Sequence, residues 1–143
     1  MVRAGRPQVQ PATPSQLGAL SGVLARAFAD DPMMRWPLGE VSDPGRSLET
    51  CFRLAWVEER VPDEPLWYLD QLGVDPPRQG EGLGKALVQF GLEHAAQAGL
   101  AAFLETATER NVRFYQSLGF RVVDEGSVPG GGPLIWFLRC DPA

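Results

Sequence analysis

The chain has 143 residues, 44% of them hydrophobic, enough for one domain whose apolar core needs neither disulfides nor metal. With 18 acidic against 13 basic residues, bulk charge argues against nucleic acid or an anionic membrane as partner, so an anionic ligand requires a local basic site. Two cysteines and a single histidine, His94, leave no material for a Ser-His-Asp triad or a His-based metal centre, and no metal is expected.

No window is apolar over the length of a membrane span, and no apolar run of a targeting segment follows the first arginines, so the expected setting is the cytoplasm. "PQVQPA" (7–12) is bounded by prolines and reads as an edge strand or an arm. "TPSQLGALSGVLARAFADD" begins a helix, with Thr13 as N-cap, Pro14 at the first position and Gln16 completing a capping box. Leu17, Leu20, Leu24 and Phe28 give it one apolar face.

"DPMMRWPLGEVSDP" reads as a loop, after which Asp43 caps a second helix with a stripe of Leu48, Cys51, Phe52, Ala55 and Trp56. Pro62 and Pro65 end it, and "LWYLDQLGV" (66–74) follows as an apolar, aromatic strand. The third helix carries Leu83, Leu87, Phe90 and His94 along one line, His94 being read as a half-buried structural residue. "LAAFLET" is a buried strand, Thr106 and Glu109 suggest a capping box for "ATERNVRFYQSLG", and "FRVVDEG" and "PLIWFLRC" are strands joined by "SVPGGG". The second half thus alternates strand and helix, as in an α/β or α+β domain without repeat or linker over residues 1–143. Both cysteines, Cys51 and Cys140, read as free buried thiols.

"DPPRQGEGLGKAL" sets glycines at 80, 82 and 84 where a strand gives way to a helix. A Walker A loop fails twice, because Gln79 stands where its first glycine belongs and Ala86 where its Ser or Thr belongs. A dinucleotide fingerprint beginning at Gly82 meets Leu87 at its third small position, and repeated βαβ units are missing. What fits is Gln79-x-x-Gly82-x-Gly84 opening a helix, whose free N–H groups and partial positive charge suit a pyrophosphate.

That pattern, together with "ERNVRFYQSLGFRVV" downstream and "AFADDPMMRWP" more loosely upstream, resembles the GNAT superfamily of acyl-coenzyme A-dependent N-acyltransferases. The resemblance implies acetyl-coenzyme A as co-substrate, an amine of a small molecule or peptide as acceptor, and a mixed, mostly antiparallel sheet flanked by helices. The coenzyme pyrophosphate would lie on the N–H groups of Gln79, Gly80, Glu81, Gly82, Leu83 and Gly84, with Arg78 and Lys85 supplying charge. Glu81 departs from the family, which often has a basic residue there. Leu72, Gly73 and Val74 occupy the bulged strand that holds the pantetheine arm and the acyl oxygen; Tyr115 matches the acid for the leaving thiolate; Asn111, one turn earlier, faces the cofactor. Phe114 and Leu118 are read as that helix's core, which leaves Tyr115 free to face elsewhere. For the general base, Asp70 is the first candidate and Glu105 the second.

The family's hairpin before the strand at 66 is not accommodated by "RVPDEP" (60–65), so the sheet should have two strands fewer than usual. The strand's bare edge would then be covered by the arm or by a second copy in a homodimer. Two classes stay open: an N-acetyltransferase, and a shortened, non-catalytic acyl-coenzyme A binding or oligomerising domain. Asp30, Asp31 and Glu40 on the acceptor side favour a cationic amine.

Overall fold

The computed structural model describes residues 7–38 and 55–142; the expectations placed on Glu40, Asp43, Leu48, Cys51 and Phe52 lie outside them. The elements are α1 (Leu17–Ala27), α2 (Pro32–Leu38), β1 (Leu66–Tyr68), α3 (Leu83–Gln97), β2 (Ala101–Thr106), α4 (Glu109–Gln116), β3 (Arg121–Ser127) and β4 (Leu134–Cys140). Short 3-10 turns occupy Pro14–Gln16 and Pro76–Arg78, and residues 55–58 are helical.

The four described strands form one sheet in the order β1-β2-β4-β3. β1 runs parallel to β2, and the other two pairings are antiparallel. This is the mixed, mostly antiparallel sheet that the sequence predicts. Residues 59–65 are turns and bends without a strand, and β1 is an edge strand among the described residues.

Side-chain alternation along β2 divides the core. Ala102 and Leu104 pack with Leu138 against Val88 and Ala95 of α3 and Val112 and Tyr115 of α4. Phe103 faces the other way with Ile135, Phe137, Val57 and Val128, joined by Met33 and Trp56. Phe103, Phe137, Leu104, Ile135 and Leu138 are fully buried, each contributing about 1.5–3 kcal/mol of apolar burial. Gly126 lets Trp56 lie on β3: a Cβ there would stand 3.1 Å from two atoms of the indole.

Several elements differ from the sequence reading. The expected capping box forms on the 3-10 turn that leads into α1, Gln16 Oε1 accepting from the Thr13 N–H at 2.9 Å, while α1 itself starts after Gln16 without a side-chain cap and its apolar face is covered only toward its C-terminal end. Leu17 is 60% exposed, while Leu24 and Phe28 are half-buried. The expected loop at 31–38 contains α2, because Asp31 Oδ1 accepts from the Met33 and Met34 N–H groups and Pro32 sits where no N–H is needed. β1 ends at Tyr68 instead of running to Val74. The buried face of α3 is Val88 and Ala95, not the line through Leu87, which is 39% exposed. α4 is capped by Thr108, whose Oγ1 accepts from the Asn111 N–H; Thr106 is the buried last residue of β2. The arm's Pro7 and Val9 border a hollow beside α3, with Lys85, Ala86 and Phe90, and make no ladder with β1. His94 is structural as read, its Nδ1 within 2.8 Å of the Phe90 carbonyl and its ring against Phe90 and Trp67.

Candidate active site

The last ladder bond between β1 and β2 runs from the Leu69 N–H to the Phe103 carbonyl, at 2.9 Å. Beyond it the chain leaves the sheet, passes Gly73 and Val74, and turns through Pro76–Arg78 into α3. Two contacts fix this departure. Arg26 of α1 holds Asp75 with two hydrogen bonds of 2.9 and 2.8 Å, and Gln79 Nε2 donates to the Val74 carbonyl at 3.3 Å. Gly73 packs on α1, with Leu24, Ala27 and Phe28 around the position of its missing Cβ.

The glycine turn follows. Gly80 and Gly82 have φ of +84° and +82°, a left-handed backbone that glycine adopts without strain. Gly82 is the N-cap of α3 and supplies no side-chain acceptor, so the first N–H groups of the helix are left for solvent or an anion.

A cavity of about 610 Å³ joins these parts. Of the predicted residues it is lined by Leu72, Gly73, Val74, Arg78, Gln79, Gly80, Gly82, Leu83, Gly84, Lys85, Asn111 and Tyr115. Glu81 is not on its wall. Its carboxylate turns to Arg78, at 2.9 Å, and neutralises part of the charge expected there. Asp70 and Glu105 are not on the wall either.

Sequence reasoning missed Phe28, Thr108, Arg110 and Phe114, which also line the cavity. For Arg110 a signal existed, since a cation in the first turn of a helix opposes the helix dipole and needs an anion to explain it. Among the described residues it has no carboxylate partner. Phe28 and Phe114 gave no such signal, because an apolar residue at helical spacing reads as core whichever wall it faces. Asp30 and Asp31 border the cavity, but Asp31 is occupied in capping α2 and Asp30 pairs with Arg35 at 3.1 Å. This weakens the case for a cationic acceptor.

Tyr115 is more buried than the sequence suggests, at 7% exposure, with Phe120 and Phe114 edge-on at ring distances of 5.7 and 5.1 Å. Phe114, expected to be core, is the less buried neighbour on the cavity wall. Burial, with a smaller contribution from the Glu105 charge, pushes the Tyr115 phenol up to about 12. The phenol is therefore a proton donor throughout the neutral range. Glu105 lies on the opposite face of the sheet, on the side of Phe103, and accepts a hydrogen bond from the Tyr68 hydroxyl. Burial raises its carboxyl above the usual carboxylate range and Asp70 adds to this, while the Tyr68 hydrogen bond and a backbone hydrogen bond oppose it. Asn111 Nδ2 donates to Thr106 Oγ1 at 3.1 Å, tying α4 to the end of β2.

Residues 49–120 match the model of the acetyltransferase (GNAT) family. Curated relatives include the mycothiol acetyltransferases of Thermomonospora curvata, 36% identical over 68% of this chain and 38% of that protein, and of Kocuria rhizophila, 42% identical over 68% and 40%. The chain thus spans two fifths or less of the length of these relatives. Among solved structures, one described as histone acetyltransferase HPA2 and related acetyltransferase from Corynebacterium glutamicum superposes with a TM-score of 0.72, covering 96% of this chain and 97% of that one at 23% identity. The ribosomal-protein-S18-alanine N-acetyltransferase of Escherichia coli gives 0.58 at 14% identity, covering 94% and 92%. At these identities the likeness is one of fold.

Proposed function

This chain belongs to the acetyltransferase (GNAT) family, and we propose that it is an N-acetyltransferase moving an acetyl group from acetyl-coenzyme A to the amine of a small molecule. The observation that carries the reading is the single cavity uniting the uncapped start of α3, the backbone of Leu72 to Val74, and Tyr115. The fit to the coenzyme rests on the same residues. The N–H groups at Gly82 to Gly84 and the cations Lys85 and Arg110 would hold the phosphates, and Leu72, Gly73 and Val74, away from any ladder, would hold the pantetheine arm and the acyl oxygen.

Bound acetyl-coenzyme A supplies a thioester, whose C–S bond breaks as the amine forms its C–N bond. Glu105 receives the proton that the amine gives up. Tyr115 gives its phenolic proton to the leaving sulfur, and water restores both groups. Glu105 is preferred to Asp70 as base because it is half-buried and hydrogen-bonded, whereas Asp70 is exposed and outside the strand. Tyr115 on the wall of the cavity supports the enzyme over a non-catalytic coenzyme-binding domain, which needs only the glycine turn.

The acceptor is a small-molecule amine in this proposal, with a peptide amine as the second class; the relatives named mycothiol acetyltransferase make their acceptor one compound to include. Among the described residues no strand pairs with the outer edge of β1, which supports a homodimer that covers it, and sedimentation at micromolar concentration tests this. Release of coenzyme A thiol in the presence of an amine panel tests the activity. Tyr115→Phe, which keeps the ring packing, should lower kcat by about ten- to ten-thousand-fold with cofactor affinity unchanged. Equal loss of rate and affinity would make Tyr115 a binding residue only.

A further inference from the structure

Tyr68 ends β1 in register with Phe103, and its ring stacks on Phe103 with centroids 6.3 Å apart and planes 21° from parallel. Glu105 stands two residues further along β2, on the same face, as the diagonal neighbour of Tyr68. The hydroxyl of Tyr68 donates to Glu105 Oε2, where the strands have just parted after the bond from Leu69 to Phe103. The contact therefore bridges the opening from which the cavity's backbone wall departs. No other side chain hydrogen-bonds Glu105 among the described residues.

The titratable groups that act on this pair come from three directions: Asp70 after β1, Glu58 from the helical residues 55–58, and Tyr115 from α4. Burial and the Asp70 charge oppose a charge on Glu105, while the Tyr68 hydrogen bond favours it. The Tyr68 phenol is itself raised, first by burial and then by its bond to Glu105. It keeps its proton, and remains a donor to Glu105, throughout the neutral range.

We propose that Tyr68 is a positioning residue for Glu105: its hydroxyl donates to the carboxylate and fixes it across the sheet from Tyr115, as the acceptor of the amine's proton. The inference rests on the acetyltransferase reading and adds to it a residue that is not on the cavity wall. An apolar aromatic at position 68 would preserve the stacking on Phe103 and remove only the donor, which makes the role separable from packing.

The test is a carbon-13 NMR titration of the Glu105 side-chain carboxyl in the ligand-free full chain, with the signal assigned by its loss in Glu105→Gln. Tyr68→Phe, with unchanged circular dichroism, should move the Glu105 midpoint to higher pH. In the amine assay the acid limb of kcat should move the same way, with KM for acetyl-coenzyme A unchanged. An unmoved midpoint in the folded variant overturns the role of Tyr68. Should Tyr68→Phe fail to fold, the pair is read from the other side: in a Tyr115→Phe background Tyr68 is the sole tyrosine, and adding Glu105→Gln should let it ionise at lower pH by absorbance at 295 nm. An unchanged onset overturns the proposal. A wild-type chain that transfers no acetyl group overturns the base role together with the enzyme reading, whereas an unmoved midpoint in an active chain overturns Tyr68 alone.

Discussion

Gly73 lies so close to α1 that a Cβ on it would stand 2.8 Å from Leu24 Cδ2 and 3.0 Å from Ala27 Cβ. The glycine is required by sterics, since its φ is not in the left-handed region. Leu24 can swing aside, but Ala27 Cβ cannot move without its helix. Gly73→Ala should therefore cost about 1–3 kcal/mol by overpacking. It should also weaken acetyl-coenzyme A binding, because α1 and the backbone of Leu72 to Val74 separate. Urea unfolding and calorimetry check the two effects, and an unchanged stability would show that the contact is loose.

The chain's two tyrosines, Tyr68 and Tyr115, are both raised above the ordinary phenol value of about 10. Titrated at 295 nm, the folded protein should show almost no tyrosinate at pH 10, where an unfolded chain is half ionised. The stability consequence has a definite sign. The folded state binds more protons than the unfolded one above pH about 10, so this contribution is complete below that pH and is lost as pH rises toward about 12, the folded value of Tyr115. Ordinary titration near pH 10 in the folded protein would contradict the burial of Tyr115 and the hydrogen bond from Tyr68 to Glu105.

Arg110 should contribute to cofactor affinity although its side chain is exposed in the free chain. Arg78 is partly neutralised by Glu81 at 2.9 Å, which leaves Lys85 and Arg110 as the cavity's cations without a carboxylate partner among the described residues. Arg110→Ala should weaken acetyl-coenzyme A about ten-fold or more, as loss of a charged hydrogen bond does. The loss should be larger at low salt than at high salt. Equal affinity for wild type and variant at low salt would place Arg110 outside the phosphate site.

Much of the site was legible because its parts are local. Gly80 and Gly82 have the backbone that only a turn into a helix requires, and the α4 motif brought Asn111 and Tyr115 to one wall. The order of strands and helices gave an α/β or α+β domain, and the sheet's mixed, mostly antiparallel character came from the family resemblance. What could not be read was tertiary. The strand from residue 66 stops at Tyr68 because Gly73 and Asp75 are drawn to α1, a partner 49 residues away in sequence from Asp75 at Arg26. The choice between Asp70 and Glu105 turned on burial and on the Tyr68 contact, which alternation along a strand cannot reveal. Tyr115 was expected to turn from the core, yet it belongs to the core and the cavity at once.

The central claim is that the turn at Gly80 to Gly84 and the start of α3 hold acetyl-coenzyme A. Calorimetric titration of the full chain and of Gly82→Val with acetyl-coenzyme A tests it most directly. At Gly82 an added Cβ meets no neighbour within 4 Å, and the cost is the left-handed backbone at φ +82°, about 1–3 kcal/mol of strain that a folded domain can absorb. The account predicts saturable one-to-one binding to the wild-type chain and none to a folded Gly82→Val. Equal affinity in the two, or no binding to the folded wild type, would contradict it.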